Sequence, residues 1–265
     1  MRVVDVGLDL GSTAIKVVFW ENGKMLWRGR KATAPGQEDL AANLIREGRK
    51  ALDLLDWPIR GLAATGYGKG LFSAADRRVD EISANARGIF HLSGGQARTV
   101  VNIGGQDVKV LNLDEKGRVV DFKMNDKCAA GTGRFFELAA RLLDTPLENF
   151  GELARRAKEE VELNSTCVVF AESEMVSLLA RGVGRAEIIK ALNASVARRV
   201  AGLLGRDPGG PVWLDGGPAR NLGLADALEN ELMTEIRVLD DPQYTVACGA
   251  AMEAQANNKA GRAGP

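Results

Sequence analysis

The feature that most constrains the fold of this chain is a unit written twice: strand, glycine turn, strand, strand, then helix and strand. In the first copy Arg2–Leu10 alternates and is rich in valine, Gly11-Ser12-Thr13 turns the chain, and Ala14–Trp20 returns as a second strand. Glu21-Asn22-Gly23-Lys24 is a hairpin turn into a third strand, Met25–Ala32. After Pro35-Gly36 the apolar spacing predicts a helix over Glu38–Leu55, then a strand over Ile59–Thr65 and a helix over Glu81–Phe90. From Ala97 the order restarts: strands at Thr99–Ile103, Asp107–Leu113 and Val119–Lys123, a helix at Arg134–Leu142, further helices to about Gly205, and a strand at Val212–Asp215. Two copies predict two similar α/β lobes facing each other with a ligand in the cleft. Lobe I is expected over residues 1–97 with a C-terminal helix, 246–258, and lobe II over 98–245; residues 259–265 read as a flexible tail.

Composition narrows the partners. Lysine and arginine total 35 and aspartate and glutamate 35 of the 265 residues, so no net field draws the chain to nucleic acid or anionic lipid. No apolar run reaches membrane-spanning length, and the N-terminus runs straight into a strand pattern, so a cytoplasmic protein is expected. Three cysteines, an odd number, do not make a disulfide framework. The single histidine, His91, reads as a surface or capping residue and leaves histidine-based acid/base chemistry poorly supplied.

A glycine turn between strands lets backbone N–H groups reach phosphate oxygens. Gly7 and Gly11 fit the first turn, Ser12 and Thr13 add hydroxyls, and Lys16 on the following strand joins the nucleotide contacts. Asp9 would face phosphates and be repelled by them without a cation between, which assigns it to Mg2+ through water. Gly104-Gly105-Gln106-Asp107 is the equivalent turn of the second copy, and Gly216-Gly217, after the strand ending in Asp215, suits an adenine-ribose face. No Walker motif and no G-x-G-x-x-G occurs, so P-loop and Rossmann folds lack their signatures.

Cys128 and Cys167 are not arranged as a C-x-x-C pair, and one chain cannot draw four ligands from them. Two copies about a two-fold axis would bring four thiolates to one point, which suits a [4Fe-4S] cluster or a tetrahedral zinc; two buried or merely reactive thiols are the alternative. Cys128 precedes Gly131-Thr132-Gly133 and a helix, and Cys167 precedes a helix expected over Ala171–Ala180. Both thiols are thus expected near free N–H groups at helix starts, with Gly131 and Gly133 in the cofactor-binding set. Cys248 reads as a buried core residue.

The phosphate and adenosine loops together resemble the actin, Hsp70 and sugar kinase superfamily, a ribonuclease H-like α/β fold with ATP held between two lobes. On that resemblance Asp9, Ser12 and Thr13 belong to the first phosphate motif, Gly104 and Gly105 to the second, and Gly216, Gly217 and Asn221 to the adenosine segment. Many members begin the second motif with Asp where this chain has Asn102, which leaves Asp107 and Glu81, with Gln106 beside them, to position the attacking water. The segments Met124–Phe135, Val169–Glu174, Ile103–Asp107 and Gly216–Asn221 are similar to those of the activators of 2-hydroxyacyl-CoA dehydratases, in the BadF/BadG/BcrA/BcrD group of ATPases that includes subunits of benzoyl-CoA reductase; Pro218 replaces a usual Val. The resemblance implies one [4Fe-4S] cluster per homodimer held by Cys128 and Cys167 of both chains, ATP/ADP and Mg2+, ferredoxin or flavodoxin as electron source, and an iron-sulfur dehydratase or reductase, including double-cubane cluster proteins, as acceptor. Two other classes stay open. A small-molecule kinase of the same fold would use Asp107 as base, and a nucleotide-gated regulator would hydrolyse negligibly. Lys109, Lys127 and Arg134 read as solvated surface charge.

Overall fold

The computed structural model describes residues 3–54, 58–126, 128–164, 167–205 and 207–260. Two compact units form: Met1–Gln96 with Glu115–Val119 and Tyr244–Pro265, and Ala97–Asp114 with Val120–Gln243. The turn 115–119, expected in lobe II, therefore belongs with unit 1.

Unit 1 is built on β1 (Val4–Leu10), β2 (Ala14–Glu21), β3 (Lys24–Ala32), β4 (Ile59–Thr65) and a two-residue β5 (Arg77–Arg78), with helices α1 (Gln37–Ala51) and α2 (Glu81–Leu92). The sheet runs β3-β2-β1-β4-β5; the first three strands are antiparallel and β1, β4 and β5 are parallel. Period-two alternation explains why β1 is buried on both faces. Val4, Val6, Leu8 and Leu10 enter the core that α1 covers, while Asp5, Gly7 and Asp9 point the other way. Helix α1 stops at Ala51, short of the expected Leu55, because Asp53 turns left-handed at φ 54° and Leu54 N–H bonds back to the Arg49 carbonyl. Residues 55–57 lie outside those described.

Unit 2 repeats the plan with β6 (Thr99–Ile103), β7 (Val108–Leu113), β8 (Val119–Asn125), α3 (Gly133–Leu142), α4 (Phe150–Arg155), α5 (Val168–Ala180), α6 (Arg185–Leu204), β9 (Val212–Gly216), α7 (Leu222–Leu232) and β10 (Ile236–Val238). Its sheet order, β8-β7-β6-β9-β10, is that of unit 1 strand for strand. Helices α3, α5 and α6 share one core with β6, β7 and β9. The final helix α8 (Thr245–Ala260) returns to unit 1, where Gly7 lets it lie directly on β1: a Cβ there would stand 1.9 Å from the Ala247 carbonyl oxygen. Gly7 is thus a packing residue and not part of the phosphate turn. The expected tail is helical at 259–260, and its remainder, 261–265, lies outside the described residues.

Candidate nucleotide and thiol sites

Strand register makes the two glycine-turn sites comparable. In unit 1 Asp9 on β1 is opposite Lys16 on β2 and Thr65 on β4; in unit 2 Asn102 on β6 is opposite Lys109 on β7 and Asp215 on β9. Lys16 Nζ lies 2.8 Å from Asp9 Oδ2, both side chains largely buried. Gly66, left-handed at φ 85°, closes over the other oxygen: a Cβ there would sit 2.7 Å from Asp9 Oδ1. Thr65 Oγ1 is fully buried and has no protein partner, as a hydroxyl reserved for a water would be. Ser12 and Thr13 lie half-exposed beyond β1, and Thr33 Oγ1 holds the Gly11 carbonyl at 2.8 Å. One carboxylate with a cation beside it and an orphaned hydroxyl fits Mg2+ held through water and substrate phosphates. It does not fit a metal caged by protein, since no group of three ligating residues exists among the described residues.

In unit 2 the Gly104 N–H bonds to the Asp107 carbonyl at 2.9 Å, making a tight turn over which the Asp107 carboxylate folds; a Cβ on Gly104 would stand 2.0 Å from Oδ1. Asp107 pairs with Lys109 Nζ at 2.9 Å, each side chain 3% exposed. Lys109 is therefore a buried member of the site and not solvated surface charge. Asn102 Nδ2 donates to Asp215 Oδ1 at 2.8 Å, with Asp215 wholly buried. Gln106 is exposed at the turn and its carboxamide oxygen accepts from Arg134 Nε at 3.0 Å. Glu81 lies half-buried in the first turn of α2 in unit 1 and is not among the residues the register sets beside Asp9.

The adenosine segment divides. Gly216, at φ 93°, is needed because a Cβ would stand 2.1 Å from the Ile103 carbonyl oxygen, whereas Gly217 faces open space. Asn221 is fully buried; its Oδ1 caps α7 at Gly223 N–H, 3.1 Å, and its Nδ2 donates to Asn193 at 2.7 Å. Its carboxamide is thus committed to the fold, and direct ligand contact is left to Gly217.

The cysteine loops grow out of the same frame. Cys128 follows β8 and precedes Gly131, left-handed at φ 95°, and Thr132, the N-cap of α3. The first N–H groups of α3 are not free for a ligand, contrary to expectation: Gly133 N–H bonds to the Gly104 carbonyl at 2.8 Å and Arg134 N–H to Gly105 at 3.0 Å. Gly133 therefore joins the phosphate turn to the cysteine loop, and a Cβ there would stand 3.0 Å from the Gly104 oxygen. Cys167 is itself the N-cap of α5, which begins at Val168, three residues earlier than the expected Ala171, and its carbonyl accepts from Ala171 N–H at 2.9 Å. Both thiols are half-exposed, while Cys248 is buried with its Sγ 3.9 Å from Met25 Sδ. Lys127, beside Cys128, lies outside the described residues. Burial pulls the Arg199 guanidinium on α6 below its ordinary value; the nearby Cys128 sulfur opposes this and Arg198 reinforces it. Two half-exposed thiols on one chain, with no group of three metal-ligating side chains among the described residues, match in number half of a four-thiolate site.

Thr65 and Arg199 were not singled out in the sequence, Asp215 only as the end of a strand and Lys109 only as surface charge, yet the structure sets Thr65 beside Asp9, Lys109 and Asp215 beside Asn102, and Arg199 near Cys128. Superposing the two copies would have exposed Thr65, Lys109 and Asp215, since Asp9 with Lys16 and Asn102 with Lys109 recur at equal spacing.

The activator of lactoyl-CoA dehydratase from Anaerotignum propionicum is 42% identical to this chain, covering 94% of it and 96% of the relative. The (R)-2-hydroxyglutaryl-CoA dehydratase activating ATPase from Acidaminococcus fermentans is 38% identical, covering 96% and 98%. The solved activator of 2-hydroxyisocaproyl-CoA dehydratase from Clostridium difficile, with bound ADPNP, superposes with a TM-score of 0.91 at 37% identity over 98% of this chain and 97% of that one. Its duplicated topology is that of the actin, Hsp70 and sugar kinase proteins. With its family model matched over residues 6–254, the chain belongs to the BadF/BadG/BcrA/BcrD ATPase family.

Proposed function

We propose that this chain is an ATP-dependent one-electron donor to a partner iron-sulfur enzyme of the 2-hydroxyacyl-CoA dehydratase class, working as a homodimer in the cytoplasm. One observation carries the reading: the carbonyls of the Gly104-Gly105 turn accept from the first two N–H groups of α3, so a shift of that turn on binding phosphate would be passed to the loop bearing Cys128. The identity to activators across nearly the whole chain supports the partner class.

In this reading Gly11, Ser12, Thr13, Gly104 and Gly105 receive the phosphates of ATP, Lys16 and Asp9 balance their charge, and Gly217 passes the adenosine. Asp9 would hold Mg2+ through water, and the metal would neutralise charge on the phosphates. Asp107 and Asp215, both buried and both hydrogen-bonded, are the carboxylates that orient the attacking water in place of the Asp that Asn102 supplants. Cys128 and Cys167 of two chains would hold a [4Fe-4S] cluster, which stores one electron at low potential. Gain or loss of the γ-phosphate contact shifts the Gly104-Gly105 turn, and Gly133 passes that shift to the loop bearing Cys128. The partner iron-sulfur enzyme would accept that electron, and a ferredoxin- or flavodoxin-class reductant would resupply it. Exposed apolar side chains flank both cysteine segments, Val120, Phe122 and Met124 on β8 and Val169, Phe170 and Val176 on α5, and supply faces for a second copy and for the partner.

The test is an anaerobic assay of a 2-hydroxyacyl-CoA dehydratase with this protein, a reductant and nucleotide. Activation is expected only with hydrolysable ATP, and Gly133→Ala should still hydrolyse ATP while losing most activation. An iron-free protein that makes ADP only when a sugar is added would overturn the reading in favour of a kinase.

A further inference from the structure

Ser195, Arg198 and Arg199 lie three and four positions apart on α6, on one face of the helix. That face meets both cysteine loops. The Arg199 stem packs on Gly131, where a Cβ would stand 3.4 Å from its Cδ, and its head lies within electrostatic range of Cys128. Its Nη1 donates to the Ser195 carbonyl at 2.9 Å and to the Ser195 hydroxyl, which fixes the guanidinium in place. Arg198 turns to the other loop, donating from Nη2 to the Leu163 carbonyl at 3.4 Å, four residues before Cys167. With Leu163 and Asn164 these three residues line a hollow of about 260 Å³.

The geometry points to Arg198 and Arg199 as a pair of positioning residues that tie the two cysteine loops to one helix and place positive charge beside the metal centre held there, raising its reduction potential. The inference rests on the proposed function. Four cysteinates around a [4Fe-4S] core carry net negative charge, and one-electron reduction adds to it. A fixed cation therefore favours the reduced state, and a half-buried one is screened least. Arg199, half-buried, should act more strongly than the exposed Arg198.

The experiment is an anaerobic redox titration followed by EPR, with iron counted per chain, on the intact protein and on Arg199→Gln, Arg199→Lys and Arg198→Gln. Arg199→Gln should lower the ratio of reduced to oxidised centre at fixed potential about tenfold, about 59 mV for one electron. Arg198→Gln should lower it less, and Arg199→Lys should restore most of it. Loss of iron in Arg199→Gln but not in Arg199→Lys would also support a requirement for the charge. An unchanged midpoint in Arg199→Gln with full iron, or equal loss in the Gln and Lys variants, would overturn the inference. Iron missing from the unaltered protein would instead sink the function on which it rests.

Discussion

Lys109 and Asp107 form an ion pair with each side chain 3% exposed, at the foot of a turn made by Gly104 and Gly105. Removing one member of such a pair leaves a desolvated charge, so Lys109→Met should lower unfolding free energy by about 3–5 kcal/mol. Urea denaturation measures it; a loss under about 1 kcal/mol would mean that other groups compensate Asp107. Asp9 tests differently because its ion pair with Lys16 stands beside an unfilled hydrogen-bonding position at Thr65. Asp9→Asn keeps the shape and removes the charge, so the fold should survive while ATP turnover falls at least about tenfold, equal to 1.4 kcal/mol of barrier. Unchanged steady-state turnover would remove Asp9 from the nucleotide chemistry. The glycines and Asp9 were legible because their setting is local, a turn after a strand. Lys109 was not, because a lysine in an alternating strand looks solvent-facing until the partner across the turn is known.

Helix α8 is held to unit 1 by missing side chains. Gly249 meets α2 so closely that a Cβ would stand 1.7 Å from the Ala84 carbonyl oxygen, and Gly88 on α2 approaches the Thr245 carbonyl in the same way. Gly249→Ala should therefore push two helices apart and cost about 1–3 kcal/mol, seen as a lower urea midpoint; an unchanged midpoint would mean that the contact yields easily. At the start of α2 the Asp80 carboxylate accepts from Ser83 N–H at 2.8 Å. Burial works to raise its pKa, but the Ser83 bonds, the charge of Lys69 and its own backbone N–H together outweigh it, and the carboxyl titrates below its ordinary value. A folded-state pKa below the unfolded one means that stability from this cap is complete above about pH 4 and fades as pH falls through the folded value. Asp80→Ala should cost about 1 kcal/mol at neutral pH, and the gap from the unaltered protein should close in acid. Most elements could be read from pattern, since β1 alternates and β2, β6 and β7 are short, mostly apolar runs next to glycine turns. β10, of three residues, and β5, of only Arg77 and Arg78, could not, because neither is long enough to show a period. Gly7 misled for the same reason that Gly249 matters: a glycine admits a neighbouring helix as readily as a phosphate.

At the scale of the whole molecule, balanced charge leaves shape and apolar contact to select partners. Half-exposed Cys128 and Cys167 follow β8 and cap α5, and those two elements carry Phe122 and Phe170 at 47% and 69% exposure. If a second copy covers these faces, a shared metal centre cannot outlast the dimer, because each chain would bring only two of its four ligands. Anaerobically purified protein should then hold about two irons and two sulfides per chain and run as a dimer by light scattering. Cys128→Ser should lose the iron. Phe170→Glu, which alters no ligand, should lower both the dimer fraction and the iron in parallel while the monomer stays folded by circular dichroism. Full iron in monomeric Phe170→Glu would show that one chain closes the site by itself, and the shared centre would have to be abandoned. A dimer that persists in Cys128→Ser would instead show that the apolar faces supply most of the association, with the metal bound at an interface already formed.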